Sequence, residues 1–225
     1  MRDHLRENLD RVIHNIEQAR LSVSGHHIVK LVAVGKYTEI ENIQSLYELG
    51  QRAFGENQVQ QLESRANQLI ELPIEWHMIG TLQKNKINKL IKLNPFLIHS
   101  IDSIDLALAL DSRLQNSDNQ KLDALMQINS SGEITKSGIE AEKAIELYHE
   151  MQERCTNIDF QGVMSIGANS DDRSEVQRNF ETTYAVFEKL KKSGANICSM
   201  GMSGDYELAI KCGSNLVRVG SKIFR

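Results

Sequence analysis

Along this chain, short apolar runs alternate from one end to the other with longer stretches of helical spacing. The runs predict strands at residues 28–34, 52–55, 75–79, 97–101, 124–129, 160–166, 197–200 and 216–219. Between them the spacing predicts helices at 40–49, 59–70, 84–93, 104–114, 139–153, 174–192 and 206–211, and one more helix over 2–20 precedes the first strand. Strands separated by helices pair in parallel, and eight such units in 225 residues is the size of a closed (β/α)8 TIM barrel. One α/β domain over 1–225, with an extra N-terminal helix, is therefore expected; an open doubly wound sheet is the alternative. The only prolines, Pro73 and Pro95, leave no linker, and QNSDNQK at 115–121 reads as a polar surface loop.

Composition narrows the partners. A 40% hydrophobic content supports a buried core, and a net charge of −4 with no basic block longer than residues 189–192 leaves no nucleic-acid footprint. No run of 18 apolar residues occurs and charges are spread through the first 16, so no membrane contact is expected and a cytoplasmic location is. Cys155, Cys198 and Cys212 are odd in number, lack CxxC spacing and suit a reducing compartment. The seven histidines show neither HxxxH nor HExxH, so no metal site is expected. Charged helix faces offer no obligate interface, and a monomer is expected.

The chemistry gathers at strand ends. In a barrel of this kind the reactive groups sit at the C-terminal mouth, and phosphate commonly binds the loops after the seventh and eighth strands. Those loops lie in MGMSGDYELAIKCGSNLVRVGS, residues 200–221. Gly201, Gly204 and Gly220 let backbone approach a ligand, Ser203 and Ser221 add hydroxyls, and Arg218 stands between the turns. The first strand ends in Lys36, which either snorkels to solvent or, desolvated at the mouth, becomes a nucleophilic amine. Asn57, His77 and Asn129 add amide and imidazole groups at other strand ends. His77 reads equally as a histidine hydrogen-bonded inside the barrel or as a ligand contact.

These segments resemble the YggS/PLPBP family of pyridoxal 5′-phosphate (PLP) homeostasis proteins. The resemblance runs through LVAVGK, FGENQVQ, WHMIGTLQKNK, HSIDS, LMQINSSGEITKSG, GVMSI and residues 200–221. It implies a barrel like the N-terminal domain of alanine racemase, with PLP in a Schiff base on Lys36. Ser203, Gly204, Gly220 and Ser221 would hold the phosphate, Arg218 would face the pyridine nitrogen, and Asn57 and His77 would lie near the ring. The chain departs from the family pattern at Gly35, where relatives often carry serine, and at Glu39, Gln58, Gly167-Ala168 and the Phe224-Arg225 end.

An always-protonated arginine donating to the ring nitrogen weakens the ring as an electron sink, and racemisation needs an acid/base group on each face of the substrate. The expectation is a PLP carrier, buffer or regulator without efficient catalysis, in transient contact with PLP-dependent apo-enzymes. A slow amino-acid racemase or other PLP enzyme is the alternative, and a PLP-free lysine aldolase a third.

Overall fold

The computed structural model describes residues 2–117, 121–132, 137–168 and 170–225. Its first helix, α1 (Arg2–Leu21), buries Leu5, Leu9, Val12, Ile16 and Ala19, spaced three or four apart to form one stripe. The barrel follows as β1 (Lys30–Val34), α2 (Ile40–Glu48), β2 (Ala53–Glu56), α3 (Val59–Gln68), β3 (Glu75–Met78), α4 (Ile87–Leu93), β4 (Leu97–Ile101) and α5 (Ile104–Leu114). It continues with β5 (Leu122–Asn129), β6 (Ile139–Glu140), α6 (Ala144–Arg154), β7 (Ile158–Ser165), α7 (Arg173–Leu190), β8 (Ile197–Ser199), α8 (Tyr206–Lys211), β9 (Leu216–Val219) and α9 (Ser221–Phe224).

Every strand pairing is parallel, in the order β1-β2-β3-β4-β5-β7-β8-β9, and β9 pairs back onto β1 to close the ring. The strands are buried on both faces, which is why they read as near-continuous apolar runs. Val32, Ala53, Leu97, Leu125, Met164 and Leu216 pack together inside the ring, while the other apolar side chains face the helices. A two-residue step along the strands stays on one face, so the next inward layer includes His99, Gln127, Ile166 and Arg218. Parity holds in β7 only through a bulge: Ala124 faces Phe160 but Leu125 faces Gly162, leaving Gln161 over.

The structure departs from the sequence expectation in particular places. The helix expected over 139–153 begins at Ala144, because Ile139 pairs with Ile128 as β6. Gly138 makes that pairing possible with a φ of 129° and no Cβ to strike the Asn129 backbone. The helix expected over 84–93 opens as a 3-10 turn, Lys84–Lys86, before α4. Ile28 is 81% exposed and lies outside β1, which starts where the Lys30 amide donates to the Asn215 carbonyl. The polar loop at 115–121 and the 133–136 part of LMQINSSGEITKSG lie partly or wholly outside the described residues.

α1 packs on α2, α8 and α9. The buried Asn8 amide donates to the Ile223 and Arg225 carbonyls at 3.1 and 3.0 Å, tying the last turn of the chain to the first helix.

Candidate functional site

At the C-terminal ends of the strands a cavity of about 430 Å³ opens between the β1, β8 and β9 loops. Seven of the eight residues singled out in sequence line it: Lys36, Asn57, Ser203, Gly204, Arg218, Gly220 and Ser221. The volume falls within the range of small-ligand pockets.

Lys36 stands on a four-residue turn closed by the Thr38 amide on the Gly35 carbonyl at 3.1 Å. Tyr37, at its third position, has φ 66°, the left-handed geometry of a type II turn that glycine usually fills. For a residue with a side chain that region costs about 1–2 kcal/mol. The turn presents Lys36 to solvent, so the expectation of a desolvated lysine is corrected: its side chain is exposed at the mouth.

Opposite lie the two glycine-bearing turns. The Ser203 hydroxyl accepts the Gly220 amide at 3.1 Å, which locks the β8 and β9 loops together. The Ser203 and Gly204 amides donate to no backbone carbonyl among the described residues, and Ser221 opens a helix whose first N–H groups lack intrahelical partners. A Cβ added to Gly204 would meet nothing within 4 Å, so its space belongs to the cavity. Gly201 serves a different purpose: at φ 93° it lets Tyr206 and Ala209 of α8 pack against the β8 end.

Arg218 is 4% exposed. Nη1 donates to Ser199 Oγ at 2.5 Å and Nη2 to the Ser165 carbonyl at 2.9 Å, while among the described residues no carboxylate forms an ion pair with it. Burial draws its pKa down to about 10 against the opposing field of Asp205, so it remains a cation at neutral pH. Only two of a guanidinium's five N–H donors are thus engaged, and the side chain faces the cavity.

His77 lies beneath the mouth and does not line the cavity. It is fully buried, with Nδ1 2.9 Å from His99 Nε2, and His99 Nδ1 is 3.2 Å from Ser199 Oγ. The in-barrel alternative therefore describes it, and the expectation of ring contact is corrected: its strand reaches the cavity two residues later, through Ile79.

Because arginine can only donate, the direction of this chain of bonds is determined. Ser199 Oγ accepts from Arg218 and gives its own proton to His99 Nδ1; His99 donates from Nε2 to His77 Nδ1. His77 then carries its proton on Nε2, a buried atom with no hydrogen-bond partner among the described residues. Neutral rings suit this chain. Burial, and secondarily Lys30, pulls the His77 pKa down to about 3, and burial with the charges of His77 and Arg218 lowers that of His99 as well.

The family model for the alanine racemase N-terminal domain matches residues 8–225. A pyridoxal phosphate homeostasis protein from Helicobacter pylori is 48% identical over 220 residues, 98% of both chains. The human protein of that name is 37% identical over 208 residues, covering 87% of this chain and 75% of its own. The chain belongs to the pyridoxal phosphate homeostasis protein family.

Among solved structures, PipY of Synechococcus elongatus with PLP bound superposes with a TM-score of 0.78 at 29% identity, covering 93% of this chain and all of its own. The family's relation to alanine racemase fits the barrel found here, whose closure brings the first strand and the last together at one mouth. Sequence reasoning did not single out Val34, Tyr37, Ile79, Ile166, Phe224 and Arg225, which complete the lining. Val34, Ile79 and Ile166 could have been found by stepping two residues along the inward face; Phe224 and Arg225 depend on where α9 turns.

Proposed function

We propose that this family member binds PLP at the cavity, holds it as a Schiff base on Lys36, and serves intracellular PLP homeostasis as a carrier or buffer. The observation that carries the reading is the convergence of an amine, paired hydroxyl-bearing turns and a cation with spare donors on one cavity. The residues fit the cofactor's chemical parts. Ser203, Ser221 and the amides of their turns would hold the phosphate, the open space at Gly204 leaves it room, and the free Arg218 donors would serve the ring nitrogen. When bound, PLP supplies an aldehyde that condenses with a primary amine by loss of water.

Holding is favoured over turnover. As a donor to the ring nitrogen, Arg218 would keep it unprotonated, which opposes carbanion stabilisation. The lining residues able to exchange a proton at the amine end are Lys36 and Tyr37, and both come from the same turn, whereas racemisation needs groups on opposite faces. The reading extends to a monomer in the cytoplasm that meets PLP-dependent apo-enzymes transiently. Among the described residues no helix is long and apolar enough to cross a membrane.

The test is the absorbance of purified protein with PLP before and after borohydride reduction, followed by mass location of the modified peptide. Label on Lys36, and loss of the visible band in Lys36→Ala, is the expected result. Label on another lysine refutes the assignment, and amino-acid turnover abolished by Lys36→Ala refutes the carrier role.

A further inference from the structure

α3 carries an arginine that faces inward beneath the Lys36 turn. Arg65 Nη1 donates to the Gly35 carbonyl at 2.7 Å and Nη2 to the Thr38 carbonyl at 2.6 Å, so one guanidinium grips the first and last residues of the turn. Its Nη1 also pairs with Glu56 Oε1, from the end of β2. The Glu56 carboxylate is fully buried, and its Oε2 has no partner among the described residues. Burial pushes its pKa up, while Arg65 pulls it down. A buried carboxylate of this kind, removed from water, is held there by the cation it faces.

The glycine before Lys36 completes the arrangement. A Cβ on Gly35 would stand 2.6 Å from both Arg65 Nη1 and Glu56 Oε1, so the absent side chain is what admits the ion pair under the turn. The turn being gripped contains the positive-φ Tyr37, a conformation an unsupported loop would leave.

We propose that Arg65, anchored by Glu56 and admitted by Gly35, is a positioning residue that holds the Gly35–Thr38 turn so that Lys36 is aimed into the cavity. This rests on the reading that Lys36 is the PLP lysine. Arg65 touches backbone carbonyls of the turn and is absent from the cavity lining, so it acts through the turn alone.

The clamp separates two kinds of ligand. PLP engages both the phosphate cradle and the Lys36 amine, whereas pyridoxine 5′-phosphate, which has no aldehyde, engages only the cradle. Arg65→Met should weaken PLP binding by ~10-fold or more, the scale of refreezing one disordered residue's backbone on binding. Pyridoxine 5′-phosphate affinity should move by less than about 3-fold, because the cradle stands on other loops. Exchange of the Thr38 amide, which bonds to the Gly35 carbonyl, should quicken. Arg65→Lys, with a single nitrogen that cannot reach both carbonyls in the same geometry, should fall between and keeps the question open to test if Arg65→Met does not fold.

Equal losses for both ligands would mean that Arg65 only supports the fold, and unchanged PLP binding with unchanged Thr38 exchange would mean that the turn holds itself; either overturns the proposal. Wild-type protein that fails to label on Lys36 would instead sink the PLP assignment beneath it.

Discussion

Removing one hydroxyl from the centre of the barrel should unsettle the molecule more than its size suggests. Ser199 is fully buried and occupies the joint between Arg218 and the histidine pair. In Ser199→Ala the guanidinium loses a charged hydrogen bond, a loss of about 1.5–3 kcal/mol, and His99 Nδ1 becomes a buried orphan at a further cost of about 1–3 kcal/mol. With partial relaxation a net loss of about 3 kcal/mol is expected, or roughly 6–12 °C in Tm for a chain of this size. Urea and thermal unfolding of the ligand-free protein measure it directly. Ser100→Ala is the control, since Ser100 is equally buried but gives its proton to the neutral Gly80 carbonyl at 2.6 Å, and about 1 kcal/mol is expected there. The reasoning also predicts non-additivity: with His99→Phe in the background, Ser199→Ala should cost less, because one of the two orphans no longer exists. A loss below about 1 kcal/mol, or strict additivity, refutes a chain of bonds running from Arg218 to His77.

Other outcomes follow from the same geometry. His77 and His99 should both appear as Nε2–H tautomers in nitrogen-15 spectra at neutral pH; an Nδ1–H signal for either reverses the deduced direction. Because the folded His77 pKa lies near 3 and the unfolded value near 6.5, the unfolded chain takes up the proton first, so His77's contribution is complete above 6.5 and is lost on acidification towards 3. His77→Phe should flatten the pH dependence of stability over that window, and parallel wild-type and variant curves would count against it. Glu56, raised by burial, works in the opposite sense, which is why the difference between proteins is the measurement. Gly204→Ala meets no protein atom and should leave Tm unchanged while weakening PLP, since the methyl enters the cavity; equal PLP affinity would move the phosphate elsewhere. Replacing Ser203 and Ser221 by alanine together should weaken PLP by about 2–3 kcal/mol in titration, and an unaltered titration would dismiss the cradle.

The elements were legible because parallel strands buried on both faces leave unbroken apolar runs that helical stretches cannot imitate. The 97–101 and 216–219 strands and the 104–114 and 206–211 helices coincide with their expected bounds for that reason. Ile139 misled, since a two-residue strand has no period and its apolar side chain fits a helix stripe equally well. At the mouth, Lys36 and the 200–221 turns were legible because glycine, serine and a terminal lysine are unusual where a core should be apolar. The histidine pair was not: His77 and His99 are 22 residues apart and Ser199 a further 100 on, a contact that only barrel closure creates. Arg65 was hidden for a related reason. On a helix whose neighbours Ser64 and Ala66 are unremarkable, an arginine reads as a solvated side chain, and only the gap at Gly35 reveals that it turns inward.

The seam between β1 and β9 joins the first strand of the ring to the last. Lys36 and Ser221 sit on either side of that seam, so neither half of the site exists for a ligand until the final strand has docked. A nascent chain with its first seven strands already threaded past the ribosome would present the lysine alone. Cofactor capture would then report completed closure of the barrel, and a bound ligand would act as a latch across the one junction that synthesis makes last.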